Sequence, residues 1–183
     1  MTTFASRPQH IFISGSRHCG KSSLLAELVL ALSHKDIPCA GILSRGLWED
    51  GIRSGFDLMD LRSRTTTPLS RRIPDAAPGE IPFEFLADGW TAARRALQPE
   101  RCQSAALVAV DEIGPLEMQG KGFAPLLPPV LELPVLHVWV VRSALVDAVA
   151  AHWDLSPHVI ETQEHGALTR LLAAVSKGLG EQI

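Results

Sequence analysis

The chain has 183 residues, 46% of them apolar and 20% charged, which is material for one ordinary domain with a buried core and excludes a disordered or fibrous chain. Seventeen Lys and Arg stand against twenty Asp and Glu, leaving a net charge of −3 with both signs interspersed, so no global field favours a polyanion and nucleic acid is not expected as the main partner. No apolar run approaches the roughly 18 residues of a membrane span, so no membrane partner is expected.

The opening "MTTFASRPQH" has no apolar core before a cleavage site, so no secretory signal is expected and the expected compartment is the cytoplasm. Cys19, Cys39 and Cys102 are widely spaced without a C-x-x-C, as reduced thiols are, and the seven histidines show no metal-ligand spacing. His10 to Ser14 reads as a short apolar strand. It empties into Gly15-Ser16-Arg17-His18-Cys19-Gly20-Lys21-Ser22, and Leu24, Leu25, Leu28 and Leu32 then line one stripe of a helix. The spacing is G-x-x-x-x-G-K-S, that of a phosphate-cradling loop, and the strand before it and helix after it separate it from a chance match. Gly15 lets the chain turn out of the strand, and Gly20 lets backbone N–H groups close around a β-phosphate at the positive end of the helix. Lys21 adds a point charge between β- and γ-phosphates, and the Ser22 hydroxyl can enter a Mg²⁺ shell. Arg17, His18 and Cys19 occupy variable positions and tune the loop.

Ile37 to Ser44 reads as a second buried strand, and Gly51 as the turn of a hairpin between Leu47-Trp48 and Phe56 to Leu61. The stretch Arg62 to Arg72, with Arg62, Arg64, Arg71 and Arg72, has the composition of a kinase lid, but its place after the hairpin suits an extension of the sheet. "RRIPDAAPGEIP" from Arg71 to Pro82 reads as a loop and the best candidate for a mobile segment. Asp88 is expected to cap a helix from Gly89 to about Leu97, ended by Pro99. Ala106 to Gly114 is a continuous apolar run closing on Asp111 and Glu112, as in a central parallel strand covered on both faces. At the end of such a strand Asp111 can hold Mg²⁺ through water and Glu112 can polarise an attacking water, unless both carboxylates merely cap a loop.

Pro125, Pro128 and Pro129, with Pro134 just beyond, break the helix expected over Lys121 to Leu133. "PVLHVWVV" is the next buried strand. Arg142 follows it, on the rim that carries the loop and Asp111, and is the candidate for stabilising transition-state charge. A helix from Ala144 to His152, a strand around Val159-Ile160 and a helix from about Glu164 to Leu179, striped by Leu168, Leu171, Leu172 and Val175, complete an α/β alternation with a parallel sheet. The whole chain, 1–183, reads as a single domain without repeats.

Three segments in the same order, "GSRHCGKSS", "GIRSGFDLMDL" (Gly51 to Leu61) and "VDEIGPLEM" (Val110 to Met118) with Phe123 behind it, resemble the small thermophile-type nucleoside-triphosphatases, also called cancer-related nucleoside-triphosphatases. The likeness spans most of residues 10–145. It implies a P-loop fold with a mostly parallel central sheet flanked by helices, of the additional-strand class related to RecA and the AAA+ ATPases, with an inserted β-hairpin. It implies Mg²⁺-dependent hydrolysis of several nucleoside triphosphates, ATP and GTP among them, with Gly15 to Ser23 wrapping the triphosphate, Asp111 serving Mg²⁺ and Glu112 as the catalytic carboxylate. The chain departs from the family at Ser44 and Trp48, where the family hairpin carries a Thr and an Arg, so Arg45 or Arg53 is left to take that arginine's place. A small-molecule or nucleotide kinase, or an ATPase of low turnover dependent on an unidentified protein partner, would use the same loop. A switch GTPase is disfavoured, because no N-K-x-D tetrapeptide reads the base.

Overall fold

The computed structural model describes residues 10–74 and 82–180. The readings of the N-terminal segment before His10, and of the part of the proposed mobile loop from Asp75 to Ile81, lie outside the described residues. In chain order the elements are β1 (His10–Gly15), α1 (Lys21–Ser33), β2 (Cys39–Glu49), β3 (Ile52–Asp60), β4 (Thr66–Arg72), β5 (Phe83–Phe85), α2 (Ala87–Ala96), α3 (Pro99–Cys102), β6 (Leu107–Ile113), α4 (Pro115–Met118), α5 (Leu127–Leu131), β7 (Leu136–Arg142), α6 (Val146–His152), β8 (His158–Glu161) and α7 (Ala167–Leu179).

Side-chain alternation along the central strands decides the architecture. Phe12, Val108, Val110, Trp139 and Val141 pack into one apolar cluster, with residues of α2 and α5. Their neighbours Ile11, Ile13, Leu107, Ala109, Val138 and Val140 pack into another, with α1 and α7. A strand apolar on both faces needs a layer on each side, so β1, β6 and β7 lie in the middle of a helix–sheet–helix sandwich. The strand order is β5-β4-β3-β2-β6-β7-β1-β8. The run β2-β6-β7-β1-β8 is parallel, and β3, β4 and β5 extend it antiparallel. β7 thus lies between β1, which feeds the glycine-rich loop, and β6, which ends on the carboxylates. This inserted strand defines the additional-strand class of P-loop folds.

The expected strand and hairpin arm are one element, β2. It accompanies β6 only as far as Ile42 opposite Val110, while β3 pairs with it from Ile42–Asp60 to Glu49–Ile52. β2 therefore outruns the parallel sheet, and the hairpin projects beyond its carboxyl end. Asp50 and Gly51 turn it with φ of 48° and 77°, both left-handed, as a tight two-residue hairpin needs. Within the stretch Arg62 to Arg72, β4 (Thr66–Arg72) extends the sheet, and Arg62 to Thr65 form the turn that leads into it. Pro68 sits there beside a bulge in β4 itself, with Leu69 the extra residue between the Ser70–Phe56 and Pro68–Asp57 pairs, where a missing N–H is tolerated.

Asp88 does not cap α2. Leu86 is the extended N-cap residue, and Asp88 lies in the first turn, where its charge complements the helix dipole. Pro99 opens α3 rather than closing α2, since proline's fixed φ suits a first helical position. The expected break over Lys121 to Leu133 is present as a 3-10 turn, Ala124–Leu126, leading into α5. α7 starts at Ala167, later than expected, because Gly166 precedes it in a left-handed conformation.

Phe12 and Trp139 stack across β1 and β7 with ring centroids 5.9 Å apart, and both are buried. Trp139→Ala should lower the unfolding free energy by about 3–5 kcal/mol. Trp139→Phe should lower it much less, because it keeps the stack and removes an indole N–H that has no hydrogen-bond partner among the described residues. Urea unfolding of the two variants measures the order.

Candidate active site

Gly15 ends β1 opposite Arg142, the last residue of β7. A Cβ at Gly15 would overlap Cys19 Sγ and Thr162 Oγ1, so the turn out of β1 requires glycine there. The loop from Ser16 reaches α1 through His18 (φ 59°) and Gly20 (φ 90°). Ser16, Arg17, His18, Gly20 and Ser23 are exposed. Among the described residues, none of the turn and loop backbone hydrogen bonds is donated by an N–H of residues 16–23. Such a set of open donors at a helix N-terminus suits an anion. Lys21 Nζ reaches back across the loop to donate to the Ser16 carbonyl and lies 3.8 Å from Cys19 Sγ.

The far side of the loop is fastened to the turn after β8. Cys19 Sγ and Thr162 Oγ1 are 2.9 Å apart, the Thr162 hydroxyl donates to the Ser14 carbonyl at 3.1 Å, and Gln163 Nε2 donates to Ser16 Oγ at 3.3 Å. Sequence reading missed these contacts, which join positions more than 140 residues apart.

Asp111 is fully buried at the end of β6. Its carboxylate accepts the Ser22 hydroxyl at 3.1 Å and the Ser44 backbone N–H at 3.0 Å. Burial pushes its pKa from 3.8 to about 7; the neighbouring Glu112 charge pushes the same way, and the hydrogen bonds from Ser22, Ser44 and the Glu112 backbone oppose it. Glu112 is half-buried with φ 66°, unusual for a residue with a side chain, within the register shift between Val110 and Ile113. Val110 faces Trp139 and Ile113 faces Val141, so β6 holds one residue more than β7 at this point. The bulge turns Glu112 out of the strand while Asp111 stays in it. Glu117 explains the last position of the D-E-I-G-x-x-E run. Its buried carboxylate accepts the N–H groups of Gly114 at 2.9 Å and Phe123 at 3.0 Å, and so closes the turn behind Glu112. Burial raises its pKa, against those two hydrogen bonds.

The overhanging hairpin supplies the remaining wall. His18 meets Trp48 edge-on at 5.3 Å between ring centroids, and Arg53 Nη2 lies 3.3 Å from His18 Nδ1. Of the two candidate hairpin arginines, Arg53 is therefore against the loop, whereas Arg45 is exposed. Three of the four arginines with the composition of a lid bond the sheet or the segment around α3 instead. Arg62 bonds the Arg101 carbonyl and Ser104, Arg71 bonds Asp57 and the Phe56 carbonyl, and Arg72 reaches the Arg53 carbonyl.

The fold and this loop define a P-loop NTPase. The family described as NTPase matches residues 10–172, and the chain belongs to it. Among curated relatives, nucleoside-triphosphatase THEP1 of Methanosarcina acetivorans is 31% identical over 69% of this chain and 75% of its own length. That of Pyrobaculum calidifontis is 32% identical over 60% of this chain, and the match spans 59% of that protein's length. The human cancer-related nucleoside-triphosphatase is 27% identical over 69% of this chain and 70% of its own. The solved human cancer-related nucleoside triphosphatase shares the fold with a TM-score of 0.69, at 23% identity over 92% of this chain and 98% of that one. By family, the chain's class is that of the nucleoside-triphosphatases.

The raised Asp111 pKa carries a stability consequence. Between the unfolded value of 3.8 and the folded value of about 7 the folded state holds the extra proton, so the stability this group contributes is present at low pH and lost as pH rises through that window. Without metal and nucleotide, urea unfolding at pH 5 and pH 8 should show a loss toward pH 8 that is smaller in Asp111→Asn, which cannot titrate.

Proposed function

We propose that the protein binds Mg²⁺–nucleoside triphosphates and hydrolyses them to nucleoside diphosphate and phosphate, with water as acceptor. The observation that carries this reading is the contact between Ser22 and Asp111, with Glu112 turned out beside it at the end of the loop. The donor set suits Mg²⁺: a hydroxyl and a buried carboxylate are hard oxygen ligands, and Mg²⁺ in such sites completes its shell with phosphate oxygens and water. The fully buried Asp111 carboxylate has hydrogen bonds but, among the described residues, no salt bridge, and a divalent ion would stabilise its charge directly. Ser22 and Asp111 would hold the ion, which when bound neutralises charge on the β- and γ-phosphate oxygens.

The chain's own residues carry the rest. The open N–H groups of residues 16–23 surround the phosphates, and Lys21 exchanges the Ser16 carbonyl for a phosphate oxygen. Glu112 orients a water whose oxygen attacks the γ-phosphorus. The P–O bond to the bridging oxygen breaks with its electron pair going to the diphosphate, and one water proton is lost through Glu112. Arg142, the register partner of Gly15 at the end of β7, would stabilise the charge that develops. The relatives are named for nucleoside triphosphates, and we take ATP and GTP alike as substrates. We rank a kinase second, because Arg62, Arg71 and Arg72 bond within and beside the sheet. Three free thiols support a cytoplasmic setting.

Glu112→Gln should leave affinity for a Mg²⁺–nucleotide analogue within a few-fold while single-turnover hydrolysis falls by roughly 10²-fold or more. Hydrolysis within a few-fold of wild type would withdraw the catalytic role.

A further inference from the structure

Arg53 is held as a mounted cation rather than a solvated surface group. It faces Trp48 directly across the hairpin, and because Leu47 faces Gly55, Ser54 is an extra residue in β3. The bulge re-aims the neighbouring side chain. The guanidinium carbon lies 4.3 Å from the Trp48 ring centroid and 4.8 Å from that of Phe56. Gly46 opens the slot between the two rings, since a Cβ there would overlap the guanidinium. Arg45, one residue away in a strand of period two, belongs to the opposite face and is exposed.

The mounted group has donors to spare and faces the site. Nη2 contacts His18 Nδ1, in the middle of the phosphate loop, and Nε is buried with no hydrogen-bond partner among the described residues. Burial lowers the Arg53 pKa, whereas the Glu112 and Asp111 charges raise it, so the guanidinium sits within reach of both carboxylates' fields and stays charged.

We propose that Arg53 is a further catalytic residue: its guanidinium leaves His18 Nδ1 and donates to a terminal phosphate oxygen when the triphosphate binds. The inference rests on the hydrolytic reading above. Arg53 forms no covalent bond. It adds positive charge where the γ-phosphoryl group separates from the diphosphate, so its contribution appears in turnover and not in diphosphate affinity. The two rings fix the guanidinium plane before nucleotide arrives, which reduces the ordering that a free arginine would need.

The test compares wild type, Arg53→Ala, Gly46→Ala and Arg45→Ala for single-turnover hydrolysis, ADP affinity, and affinity for ADP with aluminium fluoride, a mimic of the transferring phosphoryl group. Arg53→Ala should keep ADP affinity within about threefold and lose turnover by roughly 10²-fold or more. It should also lose the tighter binding conferred by aluminium fluoride, and free guanidinium should restore part of the rate. Gly46→Ala keeps the arginine but fills its slot, so it should show the same pattern even if Arg53→Ala fails to fold. Arg45→Ala should match wild type. Normal turnover in Arg53→Ala or Gly46→Ala, or equal losses of ADP and ADP–aluminium fluoride affinity, would overturn the inference while wild-type hydrolysis upheld the reading beneath it. No hydrolysis by wild type would overturn both.

Discussion

One buried carboxylate joins the parts of this site. Asp111 accepts from the Ser22 hydroxyl at the start of α1, from the Ser44 N–H in β2, and from the backbone of Glu112 in the bulge of β6. A charge taken fully out of water is tolerated only when it is hydrogen-bonded or neutralised. These three donors therefore set where the loop helix, the base of the hairpin and the Glu112 turn stand relative to one another. The same burial that makes Asp111 a fixed point also raises its pKa, so the site holds a carboxylate whose charged form a bound cation would favour.

The second constraint is a difference in strand length. β6 pairs with β2 up to Val110 and Ile42, and beyond that point β2 continues with β3 as its partner. The overhang brings Trp48 and Arg53 to His18 across the mouth of the loop. Two bulges then sort the side chains: the extra residue in β6 turns Glu112 out of the strand, and the extra residue in β3 accompanies the placement of Arg53 over Gly46. Acidic groups from β6 and a cation from the hairpin thus face each other around the space above residues 16–23. Behind them Glu117 gathers the N–H groups of Gly114 and Phe123, which stiffens the turn that follows the carboxylate pair.

The parts of the structure legible in the sequence are those set by local backbone demands or by two-sided burial. Gly15 and Gly20 mark the loop because a side chain at Gly15 would overlap its neighbours and Gly20 has a positive φ. β1, β6 and β7 are legible because both of their faces are apolar. What depends on register was not legible. A one-residue bulge in β3 sets Arg53 opposite Trp48, and no local composition signals it. The bulge at Leu69 that lets β4 carry Pro68 is likewise a matter of register. Asp88 looked like a helix cap, but the helix begins at Ala87 and leaves it in the first turn. Thr162 and Gln163 reach the loop only because β8 pairs with β1, a long-range choice that spacing does not encode.

The central claim is that this set of groups transfers the γ-phosphoryl of a nucleoside triphosphate to water. The direct measurement is mass analysis of phosphate released from Mg²⁺–ATP and Mg²⁺–GTP in ¹⁸O-enriched water by the purified chain. Attack by water on the γ-phosphorus predicts one solvent oxygen in each released phosphate at the solvent's enrichment, with unlabelled diphosphate. Absence of phosphate release, or solvent label in the diphosphate in place of the phosphate, would contradict the account.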